Sequence, residues 1–133
     1  MTVVTSSRKP SNEVRRLAKE IAFSLGFPYI QRGKAGIREL GADNPKIIFI
    51  SGTKRLGPVF DVTVNGESVF SMLMNKITES ERTGPFKKGF ITREPDLYEF
   101  LSPHIPIELD ENAEGAIVFY GTQKKQYVLQ VMV

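Results

Sequence analysis

The first half of the chain contains an apolar stripe with the spacing of one helix face. Ser11 precedes this stripe as a preferred N-cap residue, and Gly26 follows it at the usual C′ position. The spacing predicts an amphipathic helix, with the charged side chains of Arg15, Arg16 and Lys19 opposite the stripe. The stripe consists of Val14, Leu17, Ala18, Ile21, Ala22 and Leu25.

Alternating and β-branched runs predict strands through most of the remaining chain. Residues 46–51 form a continuous apolar run, which predicts a central strand covered on both faces. Asn65-Gly66 is a strong hairpin signal, so residues 59–64 and 68–77 are predicted to pair, although Met72-Leu73-Met74 would also fit a helix. The other predicted strands are residues 2–5, 90–92, 116–120 and 127–133. Short helices are predicted over residues 37–40, closed by Gly41, and over residues 97–101. A polar loop is predicted over residues 79–89 and an extended linker over residues 102–106.

The chain passes twice from a strand through an Arg-x-Pro segment to a helix, once around Pro10 and once around Pro95. A length of 133 residues is that of one ordinary domain. We therefore predict an α/β fold with one domain, residues 1–133, made of two similar halves around β-sheets. The first half covers about residues 1–80 and the second about residues 81–133.

Composition limits the compartment and the kinds of site. The chain has no cysteine, which leaves no disulfide framework and no thiolate metal site. No apolar run reaches the roughly 18 residues of a membrane span, and the N-terminus lacks the apolar region of a signal peptide. We therefore expect an intracellular, cytoplasmic protein that has no membrane partner.

The charge is divided unevenly along the chain. Residues 1–57 hold eleven Lys and Arg against four acids, whereas residues 58–133 hold seven against eleven. A split of this kind is typical of a protein whose first half binds a polyanion. An uneven solvated surface is the alternative, and the composition leaves both open.

Catalytic patterns are incomplete in this sequence. Residues 52–57 have the first spacing of a phosphate-binding P-loop, but Pro58 and Val59 stand where Lys and Ser or Thr are needed. His104 is the only histidine, so neither a His-based metal site nor a Ser–His triad is expected. The acidic clusters near Glu79 and Asp110 fall in predicted loops, where such clusters are usually solvated. We expect no enzyme, no metal, no cofactor and no small-molecule substrate.

The basic side chains of the first half concentrate near features that bind phosphate. Arg8 and Lys9 directly precede a predicted helix N-terminus, where free backbone N–H groups attract anions. Arg32 and Lys34 flank Gly33, which permits a close approach of the backbone. Each cation can equally be an ordinary solubilising side chain. The predicted phosphate contacts are Arg8, Lys9, Arg15, Arg16, Lys19, Arg32, Lys34, Arg38, Lys54 and Arg55.

Two aromatic residues adjoin these cations. Phe23 lies on the basic face of the predicted helix, and Tyr29 precedes the basic loop that contains Gly33. Either ring could stack on an unpaired base. Phe23 could instead pack against another part of the same fold, which is the interpretation that we favour.

Several of these residues resemble the opening of Brix-domain proteins, most closely the short, single-domain archaeal members. The match includes Thr5 to Ser11, the helix with Arg16 and Lys19, Arg32-Gly33-Lys34, and Arg38-Glu39-Leu40. The run from Leu56 to Val62 is similar to a later Gly-Pro strand motif of that family, with Val59 where the family often has Thr. The resemblance covers about residues 3–64.

The resemblance implies both a fold and a role. The family has an α/β fold of two similar halves, akin to the anticodon-binding domain of class IIa aminoacyl-tRNA synthetases. It acts in ribosome biogenesis and pre-rRNA processing, which implies a ribosomal RNA precursor as partner, with other ribosome assembly proteins beside it. The basic residues given above would then be RNA-binding residues. The rival hypothesis is a protein–protein interaction module whose basic face binds an acidic protein.

Overall fold

The computed structural model describes residues 2–7, 10–31, 36–53 and 56–133. In these ranges the chain forms three helices, α1 (Asn12–Leu25), α2 (Ile37–Asp43) and α3 (Pro95–Leu101), and none of them is long and apolar enough to cross a membrane. The same ranges contain the strands β1 (Thr2–Ser6), β2 (Lys46–Thr53), β3 (Gly57–Val64), β4 (Glu67–Glu81), β5 (Phe90–Thr92), β6 (Ile107–Leu109), β7 (Ile117–Tyr120) and β8 (Lys125–Met132).

The strands form one sheet in the order β1-β2-β3-β4-β8-β7-β5-β6. The pairs β1/β2 and β5/β6 are parallel, and the other neighbours are antiparallel. Three strands separate β3 from β5 in this order, yet the rings of Phe60 and Phe90 lie 5.8 Å apart, centre to centre. Such a contact requires a strongly curled sheet. The sheet therefore encloses a core, in which Phe90, Phe119 and Tyr127 continue the row of rings at 5.3 and 4.9 Å.

Helix α1 packs its apolar stripe into this core, and all six predicted stripe residues are buried. The Ser11 side chain accepts a hydrogen bond from the backbone N–H of Val14 at 3.2 Å, which caps the first turn. Gly26 ends the helix with a φ of 75°, a left-handed conformation that glycine adopts without strain. The predicted helix and both of its ends are confirmed.

The α/β prediction is confirmed by the mixture of elements, as are the predicted hairpin and most strands. Asn65 and Gly66 both have positive φ, as the turn between β3 and β4 requires. The order of a strand, a helical connection and three further strands occurs in β1–β4 and again in β5–β8. The boundary between two halves near residue 80 stays a prediction.

Four local predictions are wrong. Strand β4 continues to Glu81 instead of giving way to a loop, because residues 76–81 pair with β8. Helix α2 runs past Gly41 to Asp43, and Asn44 ends it by donating from its side chain to the Leu40 carbonyl at 3.0 Å. Strand β6 is absent from the predicted elements, because it is short and its strand conformation depends on parallel pairing with β5. Residues 102–106 form a turn, in which Ile105 donates to the Leu101 carbonyl at 3.0 Å.

Candidate nucleic-acid interface

The outward face of α1 carries Lys19 next to an aromatic ring. The Lys19 ammonium lies 5.8 Å from the centre of the Tyr29 ring, within the range of a cation–π contact. The Tyr29 hydroxyl lies 2.9 Å from the Ser6 hydroxyl, and Ile30 donates its backbone N–H to the Val4 carbonyl at 2.8 Å. These bonds fix Tyr29 beside β1, so the ring and the cation form an ordered pair at the protein surface.

Arg16 lies on the same helix but has an acidic partner. Its guanidinium donates to the Glu79 carboxylate on β4 at 2.5 Å, and the Lys125 ammonium lies 3.4 Å from the same oxygen. Burial acts to raise the pKa of Glu79, but the charges of Arg16 and Lys125 outweigh it and hold the pKa below its usual value. Arg16, predicted as an RNA contact, is therefore partly neutralised within the fold.

Phe23 packs against Phe86, whose segment follows β4. The two ring centres lie 5.1 Å apart with an angle of 58° between the rings. Our favoured prediction, that Phe23 packs against another part of the fold, is confirmed. The side chains of Phe23 and Phe86 nevertheless remain 47% and 43% exposed, so stacking of Phe23 on a base stays a prediction.

Arg82 extends the same surface toward β7. Its guanidinium carbon lies 5.9 Å from the Phe86 ring centre and 5.8 Å from that of Tyr120. Sequence reasoning misses this group because the polarity of residues 79–89 predicts a plain loop. A signal is nevertheless present: Arg82, Lys87 and Lys88 surround Phe86, and basic residues interspersed with an aromatic are typical of single-strand binding.

These contacts join into one surface, which we call the aromatic–basic strip. Lys19 and Phe23 are one helical turn apart and so lie on the same side of α1. Phe23 then contacts Phe86, and Phe86 contacts Arg82. The strip consists of Tyr29, Lys19, Phe23, Phe86, Arg82 and Tyr120.

Comparisons with known proteins agree with this fold. No protein-family model matches the chain. Over 65% of its length the chain is 29% identical to a probable Brix domain-containing ribosomal biogenesis protein of Archaeoglobus fulgidus, and the aligned part spans 60% of that relative. A relative of the same description from Methanococcus maripaludis is 23% identical, over 97% of this chain and 86% of the relative. The crystal structure of an archaeal Imp4-like protein matches with a TM-score of 0.66 at 20% identity, covering 100% of this chain and 99% of that one.

The chain is thus similar to archaeal proteins described as probable Brix domain-containing ribosomal biogenesis proteins. The resemblance found in its first half is thereby confirmed. The structure of a probable ribosomal biogenesis protein from Aeropyrum pernix has a similar fold, with a TM-score of 0.70 and 12% identity over 98% of this chain and 94% of the other. Both structural likenesses concern the fold, and they bear out the predicted α/β class.

Most of the predicted RNA contacts remain predictions. The described residues include Arg15, which is half-buried, and Lys19, which is exposed. Arg8, Lys9, Arg32, Lys34, Lys54, Arg55 and the side chain of Arg38 lie outside the described part of the chain. The structure thus brings Lys19, Phe23 and Tyr29 together on one surface and turns Arg16 toward Glu79.

Proposed function

We propose that this protein is a non-catalytic rRNA-binding factor of ribosome biogenesis that acts in pre-rRNA processing and assembly in the cytoplasm. Its partner would be a ribosomal RNA precursor, accompanied by other ribosome assembly proteins. The family supports the process, since both relatives are described as ribosomal biogenesis proteins. Phosphate contacts of this kind position an RNA and require no chemical step.

The observation that carries the proposal is the position of Lys19 on the outer face of α1, where its ammonium lies against the Tyr29 ring and not against an acid. Among the described residues, neither Arg15 nor Lys19 takes part in an ion pair. Lys19 lies on the Tyr29 ring and can reach a phosphate without first breaking a salt bridge. Arg8, Lys9, Arg32, Lys34, Arg38, Lys54 and Arg55 stay predicted phosphate contacts.

The salt dependence of RNA binding tests the proposal. We expect the double variant Arg15→Gln, Lys19→Gln to bind a labelled pre-rRNA fragment more weakly at low salt. The slope of log affinity against log salt should become shallower by about 0.7 for each single-stranded phosphate that the variant no longer neutralises. Fluorescence anisotropy over a salt series measures both quantities.

Lys76→Gln provides the matched control. Lys76 is exposed on β4, and its neighbours Ile77 and Glu79 lie toward α1, so strand alternation places Lys76 on the opposite face. An equal change of slope in both variants would contradict the assignment of this face. A pull-down from cell extract with and without RNase distinguishes RNA binding from the rival hypothesis. Partners that are retained after RNase treatment would indicate that the basic face binds an acidic protein.

A further inference from the structure

We infer that the cavity beside Phe86 binds an unpaired base of single-stranded RNA, with Arg82, Lys88 and Lys124 at the adjoining phosphates. This inference rests on the proposed function and adds a second RNA contact to it. The site lies in the second half of the chain, outside the basic surface predicted from the sequence. Its position continues that surface, because Phe86 packs on Phe23 of α1.

The cavity has the size and lining for such a ligand. Its volume is about 710 Å³, and its walls include Arg82, Phe86, Lys124 and the backbone around Gly84. Small-molecule sites of about 300–1,000 Å³ are common, so a base and its ribose fit with room to spare. No other atom lies within 4 Å of the position that a Gly84 side chain would occupy, which leaves the backbone open to close approach.

The cations around the cavity lack acidic partners, unlike their neighbours in sequence. Lys87 lies 2.6 Å from the Glu108 carboxylate, and Lys125 lies 3.4 Å from that of Glu79. Among the described residues, no ion pair involves Arg82, Lys88 or Lys124. Glu81 adds one negative charge to a lining that also holds Arg82 and Lys124, so the balance favours an anionic ligand.

Arg82 is held in a position suited to a base or a phosphate. Its guanidinium lies near the rings of Phe86 and Tyr120, and its backbone N–H donates to the Lys124 carbonyl at 2.6 Å. The Arg82 Nε atom is buried and has no hydrogen-bond partner among the described residues. A buried donor without a partner is unusual, and it leaves the guanidinium incompletely paired within the described fold.

The exposed rings favour a nucleobase over an acidic peptide. Acidic side chains would engage the cations alone, whereas a base adds stacking on an aromatic face. Phe23 and Phe86 expose nearly half of each side chain at the point where α1 meets this segment. Lys88 lies over Gly26 at the end of α1, which brings a further cation to the same junction.

The test uses the full chain and two probes, a labelled single-stranded oligoadenylate and the same backbone without bases. We expect Phe86→Ala to weaken binding of oligoadenylate by about fivefold or more, the minimum expected for one stacked base. Binding of the abasic strand should not change. The salt slope should also stay constant, since no charge is removed. Phe100→Ala is the matched control, because Phe100 is 56% exposed and packs on Phe70 in a second aromatic pair.

A second variant gives a direct optical signal. The chain has no tryptophan, so Phe86→Trp introduces a single indole at the site. A stacked base should quench its fluorescence, and the abasic strand should leave it unquenched. Unchanged affinity in Phe86→Ala, an equal loss for both probes, or an unquenched indole would each overturn the inference while RNA binding by the wild type stands. A wild type that binds neither probe nor the pre-rRNA fragment would overturn the proposed function itself.

Discussion

Two polar regions meet on α1 and differ in how their charges are balanced. The first, the polar seam, joins α1 to β4, β8 and the turn between β7 and β8 through Arg16, Glu20, Glu79, Thr122 and Lys125. The second is the aromatic–basic strip. In the seam each cation meets a carboxylate, whereas in the strip Lys19 and Arg82 meet rings. The seam joins parts of the fold, whereas under the proposed function the strip would offer its charges to RNA.

Arg16 and Lys19 show that a count of bases does not measure a binding surface. They are three residues apart on one helix and carry the same charge, but only Arg16 faces an acid. A cation that already has a carboxylate partner gains less from a phosphate, because the existing pair must be broken first. The strip should therefore control RNA affinity, and the seam should control stability.

Among the variants that test this division, Glu20→Ala should have the largest effect, and the effect should be on the free energy of unfolding. Glu20 is only 7% exposed, and its carboxylate accepts hydrogen bonds from the backbone N–H and the hydroxyl of Thr122 at 2.7 and 2.6 Å. Loss of charged hydrogen bonds and a newly unpaired N–H should lower the free energy of unfolding by about 2–3 kcal/mol. Urea denaturation measures this change.

Lys19, which precedes Glu20 in the sequence, provides the comparison. Lys19→Ala removes an exposed side chain of the strip and should change stability by less than about 0.5 kcal/mol. Its effect should appear instead in RNA affinity, where Glu20→Ala should leave the salt slope unchanged. A large loss of stability in Lys19→Ala, or a stable Glu20→Ala, would contradict the division between seam and strip.

The ionisation of Tyr127 should reflect the burial and the negative charge of the polar seam. Burial, together with the negative charges of Glu20 and Glu79, raises the pKa of Tyr127 to about 12. The folded protein therefore holds this proton more tightly than the unfolded chain, whose tyrosines ionise near about pH 10. The corresponding stability is fully present below about pH 10 and is lost as the pH rises toward 12.

Alkaline titration of tyrosinate absorbance checks this expectation. Tyr127 should ionise late, and Tyr127→Phe should remove that late step. Tyr29→Phe supplies the control, because it removes a tyrosine of the strip and leaves Tyr127 and its surroundings intact. If Tyr127→Phe instead removes an ionisation step near the ordinary tyrosine pKa, burial and the negative charges of the seam hold the Tyr127 proton less tightly than the geometry implies.

The fold is predictable where the determining interactions are local. The stripe of α1, its Ser11 cap and Gly26 lie within one segment, and so does the Asn65-Gly66 turn. The end of β4 is not predictable in this way. Residues 76–81 are mostly polar, and their strand conformation depends on pairing with β8, which lies far along the chain. Local polarity indicates a loop, and the distant partner decides otherwise.

The candidate site follows the same rule. Helical spacing is enough to place Lys19 and Phe23 on one face, because both lie on α1. Their sequence does not reveal that Phe86 covers Phe23, since that contact depends on the segment after β4 reaching α1. The Arg16–Glu79 pair likewise joins residues 63 positions apart. Charge is read from a sequence directly, but the pairing that neutralises it comes from the tertiary structure.

Glu79→Gln should produce the smallest effect and the most specific one. Both members of the Arg16–Glu79 pair are substantially exposed, so its loss should change stability little. The substitution should free the Arg16 guanidinium, and with it Lys125, for a phosphate. RNA binding should strengthen at low salt, and the slope of log affinity against log salt should steepen by about 0.7 for each further phosphate that is neutralised.

Glu67→Gln separates this effect from a general change of charge, because Glu67 is an exposed acid at the other end of the same strand. It should leave the salt slope unchanged, although it removes the same negative charge. If Glu79→Gln also leaves the salt slope unchanged, then the position of Arg16, and not its ion pair with Glu79, prevents Arg16 from contacting RNA. If the slope steepens in Glu79→Gln alone, the acidic partner is what distinguishes Arg16 from Lys19 on one helix face.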